Sequence, residues 1–144
     1  TPNTSSAASD VYKRQVGDGG QTTGRLNLTV FPTSDFKFNL ALFGADNIFS
    51  NINAEDFDEP DGGNAQLPAY KLFDFGAGYN FDLFGNNAYL RLNINNVFDE
   101  EYYPEMENNY LATDDSTNYM GINTANRIFP GWGRTWNVGL TYRF

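Results

Sequence analysis

Five segments of the chain alternate apolar and polar residues with a period of two. Side chains of an extended strand point to opposite faces in turn, so each segment predicts a β-strand with one apolar face. The segments are 25–31, 36–43 with an extension towards Ile48, 70–81, 88–98 and 134–144. No window has the 3.6-residue periodicity of a helix. The pattern therefore predicts an all-β, antiparallel fold.

The closing segment shows the alternation most clearly. Its apolar face consists of Trp136, Val138, Leu140, Tyr142 and Phe144. Chain ends usually fray into polar, dispensable residues. An aromatic end on a regular strand therefore indicates that this strand has a specific role.

The connections between the segments alternate between short (32–35 and 82–87) and long (49–69 and 99–133). The faces opposite the apolar ones are polar or charged, with Lys37, Asn39, Asp74, Arg91, Asn93, Asn95, Asn137 and Arg143. Outer-membrane barrels combine short periplasmic turns, long extracellular loops, an apolar lipid face and a polar lumen. The sequence therefore predicts a transmembrane antiparallel β-barrel, with these polar residues facing the lumen and the closing aromatic and aliphatic residues facing lipid.

A soluble antiparallel sheet with one face on a core would also alternate, so that alternative stays open. Five strands cannot close a barrel, because every backbone group inside a membrane must be paired. We therefore expect residues 24–144 to be the C-terminal five-strand portion of a larger barrel. Residues 1–23 are expected to be a non-barrel lead-in, either a loop or a segment foreign to the protein that follows.

The composition excludes several kinds of site. The chain has no cysteine and no histidine, which removes catalytic triads and the usual zinc ligands. Its net charge of −9 argues against a nucleic-acid partner. The acidic stretch 56–63 lacks the register of a calcium loop, so we expect a solvated loop and neither a metal site nor a cofactor. Adjacent carboxylates such as Asp114 and Asp115 do not indicate hydrolase chemistry, and we expect no enzyme activity.

Three ordered motifs resemble the last strands of TonB-dependent outer-membrane receptors, over roughly residues 24–144. They are Leu67-Pro68 through Asp74, then Asn95-Asn96-Val97-Phe98-Asp99 with Tyr102, and finally Pro130-Gly131 with Arg134-Thr135 through Phe144. One departure is Gly133, where the family often has proline before the arginine. That difference should loosen the turn without changing the resemblance.

The resemblance implies a barrel of about 22 strands with an N-terminal plug. Such receptors sit in the bacterial outer membrane and import scarce nutrients, such as ferric siderophores, cobalamin or oligosaccharides. Their energy comes from the TonB complex, which acts through the plug, and we expect both the plug and its TonB-binding box to be missing from this chain. Further expected partners are outer-membrane lipid, an extracellular ligand of unknown identity, and the barrel-assembly machinery, which would recognise the last strand with Phe144 at its end.

Two alternatives to transport remain. One is a structural or adhesive outer-membrane barrel, and the other is a soluble β-sandwich that binds glycans. Acidic residues concentrate in 51–61 and 98–115, and neither window contains Lys or Arg. A mouth lined by carboxylates would repel anionic ferric complexes, which favours a neutral or cationic ligand or a glycan.

The motif around Asn95 and Asn96 has a functional and a structural interpretation. In the first, ligand contacts come from Tyr102, Tyr103 and Trp132. In the second, which we favour, Asn and Asp side chains satisfy the backbone where a strand gives way to a loop. Phe98 would then anchor the strand end at the membrane interface.

Overall fold

The computed structural model describes residues 19–50 and 65–144. Within these ranges the fold is all-β, which confirms the predicted class, and no helix there is long and apolar enough to cross a membrane. The strands are β1 (Gly20–Val30), β2 (Phe36–Phe49), β3 (Gln66–Leu67), β4 (Tyr70–Leu83), β5 (Asn86–Asn95), β6 (Glu105–Glu107), β7 (Asn118–Tyr119), β8 (Ile122–Asn123), β9 (Arg127–Phe129) and β10 (Thr135–Tyr142). The largest sheet has the order β1-β2-β4-β5-β10, and β3 pairs with β2.

The five long strands coincide with the five alternating segments, but several of their ends differ. Strands β4 and β5 extend into the predicted turn 82–87, and β10 ends at Tyr142, two residues before Phe144. Strand β1 begins at Gly20, inside the expected lead-in of residues 1–23. Strand β5 ends at Asn95, although alternation predicted a strand through Phe98. The physical reason for the early end is the positive φ of 51° at Asn96, which turns the backbone out of the extended conformation.

The chain divides into two compact units. The sheet unit comprises residues 24–44, 70–101 and 132–144, and the loop unit includes the described residues 19–23, 45–50, 65–69 and 102–131. The sheet unit has two chemically distinct faces. The loop unit has its own small core.

In the sheet unit, the antiparallel register brings the apolar residues of β4, β5 and β10 directly opposite one another. The rows are Phe75–Ile94–Trp136, Ala77–Leu92–Val138, Tyr79–Leu90–Leu140 and Phe81–Ala88–Tyr142. Strand β2 continues this face, because the ring of Phe36 lies 6.3 Å from that of Tyr79. This face is most exposed along the edge strand β10, where Trp136 is 71% exposed, Val138 57% and Leu140 59%. The inner strands are more covered, and Ala88 is buried.

On the other face of the sheet unit, two glycines of β4 make room for side chains from neighbouring strands. The side chain of Asn39 lies against Gly76, and the ring of Tyr89 lies against Gly78. Tyr89 therefore lies across β4, and the Nζ of Lys37 sits 5.8 Å from its ring centroid. A side chain in place of either glycine would have to displace its neighbour.

Replacing Gly78 by alanine should lower the free energy of unfolding by about 2 kcal/mol, because the new Cβ collides with the ring of Tyr89. Gly139 is a matched control, since both glycines pair with Arg91 and a Cβ at Gly139 would meet nothing within 4 Å. Urea unfolding of the two single variants, refolded in detergent micelles, measures the difference. Equal losses in Gly78→Ala and Gly139→Ala would contradict the close contact between Tyr89 and β4.

The loop unit is more ordered than the sequence predicted. The sequence predicts an irregular segment at 99–133, but the segment forms two small sheets, β6 with β9 and β7 with β8. The most deeply buried large side chains described also belong to this unit: Ile48, Leu67 and Met106. Apolar residues scattered through a polar stretch show no periodicity. These residues are buried because strands distant in sequence pair with each other, as Ile48 does with Leu67.

In the loop unit, asparagine side chains form hydrogen bonds with backbone N–H and carbonyl groups. Asn126, only 7% exposed, donates to the carbonyl of Tyr110 at 2.8 Å and accepts its N–H at 2.9 Å. Asn109 accepts from the hydroxyl of Ser50 at 2.8 Å and also from the N–H of Ala65. Side chains therefore satisfy the N–H of Ala65 and both backbone groups of Tyr110.

Candidate functional site

The predicted lumen-facing residues share one face of the sheet unit. Asn93 donates to Asn137 at 2.8 Å, and both pair across β5 and β10. Arg91 lies two residues from Asn93 on β5, which places it on the same face. Asn39 and Lys37 reach the same face from β2 through their contacts with Gly76 and Tyr89. The remaining members of the set are Asp74 on β4, Asn95 at the end of β5, and Arg143, which follows β10.

The opposite face carries the residues predicted to face lipid. Trp136, Val138, Leu140 and Tyr142 alternate along β10 with their side chains on one side. Phe144 follows the strand with its side chain fully exposed, and its ring centroid lies 6.3 Å from that of Tyr142. Soluble proteins rarely expose large contiguous apolar patches, and such a patch marks a contact with another protein, a ligand or a membrane.

Directly after β5, Asn96 is the centre of a hydrogen-bonded turn. Its side chain is 3% exposed and donates to the carbonyls of Glu100 at 2.9 Å and Trp132 at 3.3 Å. Its Oδ1 accepts the N–H of Glu100 at 2.9 Å, and its own N–H donates to Asp74 at 2.9 Å. We call Asp74, Asn96, Glu100 and Trp132 the Asn96 cluster. It joins the ends of β4 and β5 to the segment that leads into β10.

The rest of the family-like motif reinforces this turn. Asp99, which also has a positive φ, accepts the N–H of Arg134 at 2.7 Å. The guanidinium of Arg134 donates to the carbonyl of Val97 at 3.4 Å, and Val97 donates its N–H to Phe73 at 2.7 Å. These contacts all hold backbone in place. They support the structural interpretation of the motif, in which its polar residues satisfy backbone groups at a strand end.

Two further members of the motif also lie at this end of the sheet unit. Asn95 donates from its side chain to the hydroxyl of Thr135 at 3.1 Å, linking β5 with β10. Phe98 is 75% exposed and packs its ring against Phe73 at a centroid distance of 5.4 Å. An exposed aromatic at a strand end is what an interfacial anchor requires, and that role stays a prediction.

The three candidate ligand contacts differ in accessibility. Trp132, in the sheet unit, is 83% exposed. Tyr103, in the loop unit, is only 5% exposed and so offers almost no surface to a ligand. Tyr102 is half-buried, with its ring against Gly131. Of the three, Trp132 has the surface that ligand stacking would need.

The loop unit contains a depression that the sequence did not indicate. Its volume is about 210 Å³, and its lining consists of Tyr119, Ile122, Asn123, Thr124, Asn126 and Ile128. Tyr110 and Tyr119 are about half exposed in the same unit. These residues belong to no sequence motif. The pairing of β7 with β8 and the bond of Asn126 to Tyr110 help to bring them together.

The acidic segment 56–63, considered for calcium, lies outside the described residues. Among residues 19–50 and 65–144, no three acidic side chains come close enough to hold a metal ion. The one ion pair in these ranges joins Arg127 to Glu107 at 3.1 Å, across β6 and β9. Both side chains are exposed, so the pair contributes little to stability.

Comparisons of the chain with models of protein families, with curated proteins and with solved structures found no match.

Proposed function

We propose that this chain supplies the C-terminal strands of an outer-membrane β-barrel of the TonB-dependent receptor type, which imports a scarce nutrient. The observation that carries the proposal is the two-faced sheet. Its apolar side chains stand in register across strands and are exposed along β10, while the opposite face is polar. Lipid hydrocarbon would cover the first face and a water-filled or plugged lumen the second.

The lengths of the strands also support a membrane-spanning role. Strands β1, β2, β4 and β5 have 10 to 14 residues, and β10 has 8. A tilted strand needs roughly 9–11 residues to cross the hydrocarbon. The uncovered sheet also argues against a soluble β-sandwich, which packs a second sheet on the apolar face. The additional sheets described have strands of two or three residues, too short to cover the long ones.

In this proposal the loop unit captures the ligand outside the cell. Its exposed tyrosines offer faces on which a sugar ring or an aromatic group could stack. Within 102–131 the unit carries Glu105, Glu107, Asp114 and Asp115 against the single cation Arg127. The resulting negative potential favours a neutral or cationic ligand over an anionic one.

Growth on limiting nutrients tests the transport function. A strain that lacks the complete protein should lose growth when one nutrient, supplied as a ferric siderophore, cobalamin or an oligosaccharide, is scarce. A strain without TonB should show the same loss, and an expressed copy of the gene should restore growth in the first strain only. Unchanged growth on all three nutrient classes would contradict transport and favour a structural or adhesive barrel.

A further inference from the structure

A depression on the polar face of the sheet unit lies close to the short turns. We call it the Lys37–Arg143 depression; its volume is about 310 Å³, and its lining residues are Lys37, Asn80, Asn87, Tyr89, Thr141 and Arg143. Its floor depends on pairing register, because Asn80, Tyr89 and Thr141 lie directly opposite one another on β4, β5 and β10.

Two cations border the depression from different strands. Lys37 lies over the ring of Tyr89, which Gly78 allows to lie across β4. Arg143 is held at the end of β10, where its N–H donates to the carbonyl of Asn87 at 3.1 Å. The backbone therefore fixes the position of Arg143 while its guanidinium remains available.

The two cations have no anionic partner among the described residues. Neither Lys37 nor Arg143 forms an ion pair or a side-chain hydrogen bond there, and the lining includes no carboxylate. Two acidic residues, Asp35 and Asp82, line an adjoining depression that shares Asn80 and Asn87 with this one. Asp82 accepts the N–H of Gly85 at 2.9 Å, so a backbone donor already satisfies one of its oxygens. The positive site is thus local, in a chain whose net charge is −9.

We propose that the Lys37–Arg143 depression binds an oxyanion, meaning a carboxylate or a phosphate group. The guanidinium of Arg143 can bind such a group in a bidentate manner, and the ammonium of Lys37 adds a second charge-assisted contact. The hydroxyls of Tyr89 and Thr141 and the amides of Asn80 and Asn87 supply neutral donors within the depression. The site depends on the sheet alone and not on the proposed transport function.

The test uses the complete protein refolded in detergent micelles at constant ionic strength, with strand content checked by circular dichroism. Inorganic phosphate and a glutamate-rich peptide are titrated separately by calorimetry. The variant Lys37→Gln/Arg143→Gln should weaken binding about tenfold, since it removes two charge-assisted contacts at an exposed site. The control Arg25→Gln/Lys71→Gln removes the same charge from elsewhere and should bind like the parent chain.

The two probes separate the sources of the anion. Binding of phosphate alone indicates a free anion, binding of the peptide alone indicates a protein carboxylate, and either result supports the site. Equal weakening in the test and control variants, or no binding of either probe to the parent chain, would overturn the proposal. The variant Tyr89→Phe measures the contribution of the Tyr89 hydroxyl to anion binding, because it keeps the ring beside Lys37 and removes only that donor.

Discussion

Substitution of Asn96 by alanine should lower the free energy of unfolding by about 4 kcal/mol, the largest effect expected from a single side chain in this protein. About 3 kcal/mol would come from the hydrogen bonds that the buried amide makes to Glu100 and Trp132. About 1 kcal/mol would come from the positive φ, which alanine tolerates less well than asparagine. Urea unfolding of the complete protein refolded in micelles measures the loss.

Two further variants separate these contributions. Asn96→Gly removes the hydrogen bonds but accepts the positive φ, so it should lose about 3 kcal/mol. Asn108→Ala is the matched control for backbone conformation, because Asn108 is exposed and has a φ of 70°. Its loss should be about 1 kcal/mol. If Asn96→Ala were no more destabilising than Asn108→Ala, the Asn96 cluster would not hold the strand ends together.

Substitution of Gly131 by alanine should cost about 3 kcal/mol, because the ring of Tyr102 covers this glycine. A Cβ at position 131 would meet three atoms of that ring. The ring could not simply move away, since the carbonyl of Tyr102 accepts the N–H of Gly131 at 2.8 Å and keeps the two backbones together. The expected result is a lower urea midpoint of the loop unit, followed by tyrosine fluorescence, because both tryptophans lie in the sheet unit.

A double-mutant cycle tests whether the contact itself causes this loss. In a Tyr102→Ala background the added Gly131→Ala change should cost less than about 1 kcal/mol, because the obstructing ring is gone. Gly139→Ala again serves as the control, with open space around its Cβ position. Additive losses from Gly131→Ala and Tyr102→Ala would mean that the ring does not pack on this glycine.

The strands could be predicted from the sequence because alternation is local. Each of the segments at 36–43 and 134–144 identifies its own apolar face without reference to any other part of the chain. The end of β5 does not follow from alternation, since Phe98 is in phase with the apolar residues Leu90, Leu92 and Ile94. The early turn depends on the side chain of Asn96, which finds partners as distant in sequence as Trp132.

Other parts of the candidate site depend on strand register, which alternation does not determine. Nothing in the residues around Gly78 shows that it will face Arg91 and lie beneath Tyr89. The Lys37–Arg143 depression combines strands β2, β4, β5 and β10, and its members become neighbours only after the sheet pairs. The core of the loop unit around Met106 likewise arises from long-range packing.

The central claim is that the apolar face of the sheet meets lipid, and quenching of Trp136 tests it most directly. The chain has two tryptophans, so Trp132→Phe leaves Trp136 as the only one. The protein is reconstituted into vesicles that contain lipids brominated near the headgroup. These lipids should quench Trp136 strongly, because Trp136 lies at the start of β10 on the apolar face. The comparison variant Trp132→Phe/Trp136→Phe/Asn137→Trp moves the single tryptophan to the polar face. We predict strong quenching of Trp136 and weak quenching of the tryptophan at position 137, and equal quenching at the two positions would contradict the lipid-facing sheet.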